Sequence, residues 1–286
     1  MHNANDYIGF ELEINLVITM KNVYKLILQI GIILGFLGTV IVNALATTLP
    51  LNGKDTGELS DNIPNLFVPS GLTFAVWGVI YLGLATLTIY SIRNLFQKET
   101  EAPEYIEKMG IEFIVTAIAN ITWIFLWHYE LVNLSLIAMV VLLAALLTMY
   151  LRLKIGKSDA PKGEKWFVHV PISIYLGWIT IATVANVTAV LVVNNWNRFG
   201  ASEEFWAILM ISIATLITLA MLFLRKDIAY SLVVIWALLG ILLKRIDDAV
   251  IQIDGTQAGI VITTAVGMGL ITALIGYASY KLLKKE

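Results

Sequence analysis

The 286-residue sequence contains no cysteine, which excludes disulfides, thiolate metal sites, a cysteine nucleophile and lipidation on cysteine. Its three histidines, His2, His128 and His169, are too few for a histidine-based metal cluster. Charge is scarce: Asp, Glu, Lys and Arg make up 14% of residues, against roughly 25% in an average globular chain. The net charge of −2 gives no sign of a nucleic-acid partner. There is no phosphate-cradling glycine loop, and so no case for an ATP-driven pump. What fills the chain is apolar side chains, 58% of residues, with a mean hydropathy of +0.81. A soluble domain must cover itself with polar groups, so this composition reads as an integral membrane protein.

Apolar runs of about 20 residues, the length that crosses a bilayer, lie near 26–49, 71–95, 109–129, 132–153, 167–193, 205–224, 228–246 and 257–280. They predict an all-α, polytopic protein with about eight transmembrane helices. The weakest break is between Tyr129 and Asn133. Without it, one helix over 109–153 would run roughly 67 Å, over twice the bilayer core. A tight turn around 128–133 is therefore expected.

Basic residues gather on cytoplasmic loops, which supplies an independent test. With eight spans, 15 of the 19 lysines and arginines fall on one side, including Arg152, Lys154, Lys157, Lys162 and Lys165. The other side holds four, Lys54, Arg198, Lys244 and Arg245. The expectation is a cell-membrane protein with both termini cytoplasmic. Residues 1–19 are polar to mixed, and Met20-Lys21-Asn22 resembles an initiation site, so 1–25 reads as a cytoplasmic tail. Ala44-Leu45-Ala46 fits a signal-peptide cleavage site, but the apolar stretch is long for one and a retained helix is expected. Gly31 and Gly35 are spaced for close helix contact.

Trp166, Trp196 and Trp206 sit at span ends and read as interfacial anchors. The informative aromatics lie within spans and share faces with polar groups. Trp77 and Tyr81 are i and i+4; Asn120, Trp123 and Trp127 are i, i+3 and i+7. Tyr175, Trp178, Ala182 and Asn186 share one arc of about 80°. Asn43, Asn120 and Asn186 need partners in an apolar interior and should face inward. They serve either as helix-to-helix glue or as fixed polar groups in an aromatic-walled pocket.

These motifs resemble the TspO/MBR family, the tryptophan-rich sensory proteins related to the mitochondrial translocator protein or peripheral benzodiazepine receptor. Pro69 to Tyr81 is similar to the family's second-helix signature, and Asn120-Ile-Thr-Trp123-Ile-Phe-Leu126-Trp127 to its third. Tyr175-Leu-Gly-Trp178-Ile-Thr-Ile-Ala182-Thr183-Val-Ala-Asn186 is similar to its fifth. Departures are Gly71 and Ala75, where the family carries a tryptophan and a proline, and Pro171, one turn early. The resemblance implies a five-helix membrane domain over 26–193, a three-helix extension over 194–286 with a short basic tail, and a loop at 50–69 over a pocket mouth. It implies a binding protein for hydrophobic or tetrapyrrole ligands (porphyrin or haem) with a sensory or regulatory role, requiring no cofactor. Trp77, Tyr81, Asn120, Trp123, Trp127, Tyr175, Trp178, Ala182 and Asn186 are the candidate ligand-binding residues.

Leu87 to Arg93 also matches the loose cholesterol-contact pattern, which is common by chance. The cluster Lys244-Arg245-Ile-Asp247-Asp248 can neutralise itself at i, i+3 and i, i+4. Asp254-Gly255 reads as a turn. His128 reads as an interfacial histidine rather than an axial haem ligand. With no catalytic motif and no metal site, an enzyme is the lesser reading; the rivals are a carrier for a small hydrophobic molecule and an enzyme degrading a bound porphyrin. The expected partners are a hydrophobic small molecule and the bilayer, with a homodimer left open.

Overall fold

The computed structural model describes residues 4–49, 51–96, 102–251 and 257–283, and the side chains of 17–49, 51–96, 102–247 and 257–281. All regular structure among these is helical. In lipid a backbone has no water to bond, so each span must satisfy its own N–H and C=O groups as a helix. Eight helices are long and apolar enough to cross a membrane: Val17–Thr48, Gly71–Leu95, Tyr105–His128, Val132–Arg152, Lys162–Val193, Glu203–Arg225, Ile228–Asp247 and Ala258–Lys281. Each falls on one of the eight apolar runs.

In chain order the helices are α1 (Ala4–Thr48), the short α2 (Thr56–Asp61), α3 (Val76–Ile92), α4 (Tyr105–His128) and α5 (Val132–Arg152). The turn α6 (Lys162–Glu164) leads to α7 (Val170–Val193), then α8 (Glu203–Arg225), α9 (Ile228–Ile251) and α10 (Ala258–Leu283). Helix α1 begins at Ala4, ahead of the apolar span that starts at Val17, so the segment read as a tail is helical from Ala4. The break after α4 is where it was expected, with Glu130 at φ +56° reversing the chain. A five-residue π-helical stretch, Lys165–His169, precedes α7. Pro171 follows it in the first turn of α7; proline has no N–H to donate and its ring crowds the preceding turn, which favours a widened start.

Helix α1 packs on α4 through small residues. A Cβ on Gly31 would lie 2.4 Å from Ile114 Cδ1, and one on Gly35 3.0 Å from the Ala117 Cβ. Helix α7 is central, lying against α3, α5 and α9. Helix α8 packs instead on α9 and α10, although nine residues, 194–202, join it to α7.

The charges separate to two ends, as the basic-residue count requires. At one end Arg152 pairs with Glu112, and Lys25, buried, donates to the Ala102 carbonyl at 2.7 Å and lies 3.5 Å from Glu107. The same end holds Asp227, which caps α9 by accepting from the Tyr230 amide at 3.0 Å. Tyr150 and Ser173 donate to its other oxygen at 2.8 and 2.7 Å. At the opposite end Lys54 pairs with Glu130, and Lys244 with Asp61. Lys244 thus reaches Asp61 at the end of α2, 183 residues away. The expected pairings with Asp248 and the Asp254-Gly255 turn lie outside the described residues. Arg245, the cluster's other cation, is buried.

Candidate functional site: an aromatic nest under a loop

Helical spacing brings the rings together. On α3, Trp77 stacks on Tyr81 with centroids 5.7 Å apart and planes 23° apart. Its edge meets Tyr175 at 5.9 Å and Trp178 at 6.4 Å on α7. Phe74, just before α3, meets Trp178 edge-on at 5.8 Å. On α4, Trp123 stacks on Trp127 at 5.7 Å and 18°. Such offset and edge-on pairs contribute about 0.5–1.5 kcal/mol each beyond burial.

The asparagines bond between helices. Trp123 Nε1 donates to Asn186 Oδ1 at 3.0 Å, and Asn186 Nδ2 donates to Ser135 Oγ at 3.1 Å. Asn43 Nδ2 donates to Asn120 Oδ1 at 2.7 Å and to the Thr39 carbonyl at 2.8 Å. The asparagines therefore tie α1 to α4 and α4 to α5 and α7, which is the glue role. Two buried donors of the nest are left over: Trp178 Nε1 and Asn120 Nδ2 find no acceptor among the described residues. Leaving such a group bare costs about 1–3 kcal/mol.

Residues 51–70 close over these rings. Trp127 Nε1 donates to the Thr56 carbonyl at 3.4 Å, and Asn52 Nδ2 donates to the His128 carbonyl at 3.0 Å. Glu130 raises the Lys54 pKa, mainly through a 2.8 Å hydrogen bond to its carboxylate. The loop is also clasped by α9. The Ser70 amide donates to the Gly240 carbonyl at 3.1 Å, and Trp236 Nε1 to the Thr73 carbonyl at 2.9 Å. A Cβ on Gly240 would lie 1.9 Å from Thr73 Oγ1, so only glycine admits this approach.

Trp77, Trp123, Trp127, Trp178, Ala182 and Asn186 line a cavity beneath this loop, together with Thr56, Asn65, Pro69 and Phe74. Tyr81, Asn120 and Tyr175 stand behind it as supports rather than walls. The loop residues were not singled out from sequence, because their contact with the nest depends on the path of an irregular segment. The cavity has a volume of about 40 Å³, far below the roughly 300–1,000 Å³ of ligand pockets.

His128 is fully buried under the loop rather than interfacial. Its Nδ1 lies 2.8 Å from the Ile124 carbonyl, which makes Nδ1 the protonated nitrogen, and Nε2 faces Thr56 Oγ1 at 3.5 Å. Among the described residues no group of His, Asp and Glu is arranged to hold a metal ion.

A second and larger cavity, about 590 Å³, opens between α7 and α8. Trp196 and Trp206 border it, so these two are cavity walls as well as span-end residues; Trp166 is exposed at its helix end, as an anchor would be. Sequence spacing carries no signal for this cavity, which comes from the splay of two helices.

No curated protein and no solved structure matches the chain. A family profile described as TSPO-like protein matches residues 29–277. That range starts inside α1 and ends inside α10, so the matched region takes in the last three spans as well as the first five. The aromatic signatures on α3, α4 and α7 meet in one loop-covered nest, the profile spans most of the chain, and the protein is a multi-pass membrane member of the TSPO-like family.

Proposed function

We propose that the protein is a membrane-embedded binding protein for a flat, hydrophobic ligand of the tetrapyrrole kind, with a sensory or regulatory consequence. The observation that carries this reading is Trp178: a buried indole N–H without an acceptor, set among aromatic faces. A porphyrin offers ring faces for the indoles and acceptors for that donor. Ala182 leaves the space opposite.

A ligand of that size needs a site of several hundred Å³ (pockets run about 300–1,000 Å³), so binding is coupled to displacement of the loop. The loop is held by exposed ion pairs, a few hydrogen bonds and the buried side chains of Leu59, Phe67 and Val68. Opening must therefore be driven by the ligand's own binding, and bound and empty states differ at the bundle's outer surface, where a partner can read them. The same reading sets the protein in the cell membrane with both termini cytoplasmic, on the strength of 15 basic residues against 4.

The test is titration of the detergent-purified protein with protoporphyrin, followed by porphyrin absorbance. Saturable micromolar binding is expected. Trp178→Phe keeps a ring and removes the N–H, and should weaken binding about 3- to 10-fold, one hydrogen bond's worth. Ala182→Phe should abolish it by filling the site. Absence of binding in well-folded protein, or binding indifferent to both changes, would overturn the reading.

A further inference from the structure

The cavity between α7 and α8 lies beside the aromatic nest and shares Asn65 of the covering loop with it. Native interiors leave few voids larger than a water, so about 590 Å³ at a helix junction calls for an occupant. Its walls are mainly apolar, with Val184, Val187 and Leu191 from α7, Met210 from α8 and Leu66 from the loop, and Thr183 and Thr188 bonded back to their own helix. Most are half-buried and Val187 is 38% exposed, so the chamber is open at its side rather than sealed.

Its outer end is different in character. Trp196 and Trp206 meet with centroids 4.9 Å apart, and Phe199 closes on Trp196 at 5.4 Å. Trp206 Nε1 donates to the Arg198 carbonyl at 3.0 Å, which pins this aromatic roof. Beside it, also lining the chamber, the Arg198 guanidinium pairs with the Glu203 carboxylate, and both side chains are about half exposed. Span ends lie at the depth of lipid headgroups, where tryptophan collects.

An apolar slot below one positive and one negative group suits a particular chemistry. An anionic amphiphile meets Glu203 as a repulsive neighbour, and a cationic one meets Arg198. A zwitterion satisfies both, phosphate to Arg198 and ammonium to Glu203, with the indole faces attracting the ammonium. We propose that this chamber is a second binding site, for a zwitterionic membrane phospholipid whose headgroup sits at Arg198, Glu203, Trp196 and Trp206 and whose acyl chain lies along α7.

The protein would be assembled into nanodiscs of equal phosphatidylethanolamine and phosphatidylglycerol, extracted in detergent, and its retained lipids read by native mass spectrometry. One retained phosphatidylethanolamine per chain is expected. Arg198→Gln and Glu203→Gln should each reduce retention about fivefold, the worth of one exposed ionic contact. Val187→Trp should remove it by filling the slot. Trp178→Phe, which affects the nest, should leave it unchanged. Retention of phosphatidylglycerol as strongly as phosphatidylethanolamine would overturn the proposal, and so would retention unaffected by Val187→Trp and both charge variants.

Discussion

Helix α7 has two faces that meet the rest of the molecule in opposite ways. Tyr175, Trp178, Ala182 and Asn186 are set among rings of α3 and α4, and the last three border a cavity of only about 40 Å³. Val184, Val187, Thr188 and Leu191 look toward α8 across about 590 Å³. In lipid no hydrophobic force draws helices together, because acyl chains are as apolar as leucine; contact follows from shape and hydrogen bonds. The first face offers both, with interlocking rings and an amide. The second is smooth and rich in β-branched residues that are stiff at χ1, so it cannot swing to fill a gap. Its hydroxyls are turned inward: Thr183 donates to the Ile179 carbonyl at 2.7 Å and Thr188 to that of Val184 at 2.9 Å. One helix thus supports a closed site and an open one.

The strongest way to break this contrast is to cut a side chain from each face. Trp178→Ala removes a buried ring with two aromatic neighbours and should cost about 3–5 kcal/mol, the range for large core truncations. Leu191→Ala, on the open face, should cost about 0.5 kcal/mol, as surface changes do. Thermal unfolding in detergent measures both. Equal losses would mean that the open face is packed after all.

A smaller effect separates the nest from the clasp that covers it. Lys244→Ala and Trp236→Phe each remove one tie between α9 and the loop region, an ion pair to Asp61 and a hydrogen bond to the Thr73 carbonyl. The first should lower stability by about 0–1 kcal/mol and the second by about 0.5–1.5 kcal/mol. Amide exchange at residues 51–70 should quicken while exchange along α8 stays as it was. Quickening in α8 as well would show that the two sites move as one.

What could be read from residues alone follows the same division. Periodicity and hydropathy located all eight spans, the turn at Glu130, the close contact at Gly31 and Gly35, and the shared arcs of Trp77 with Tyr81 and Trp123 with Trp127. These depend on a helix's own geometry. The chamber depends on the angle between α7 and α8, which no repeat in the sequence records. The burial of His128 and the pairing of Lys244 with Asp61 depend on where an irregular loop lies. Local order was legible and long-range placement was not, which is also why Trp196 and Trp206 read as anchors rather than walls.

The smallest effect concerns the exposed tie at the loop's near end. Glu130, by hydrogen bond and by charge, raises the Lys54 pKa above its ordinary value of 10.5. A group whose pKa is raised on folding stabilises the fold fully below its unfolded value and loses that contribution as pH climbs through the folded value. The tie between Lys54 and Glu130 should therefore hold up to about pH 10.5 and release above it. Limited proteolysis of residues 51–70 should show a small alkaline increase in cleavage that Lys54→Gln lacks, because that variant has no charge to lose. Cleavage near Arg198 should not follow the same curve, since arginine keeps its proton throughout that range. An identical alkaline step in wild type and Lys54→Gln would assign the loosening to other groups and remove Lys54 from the loop's fastenings.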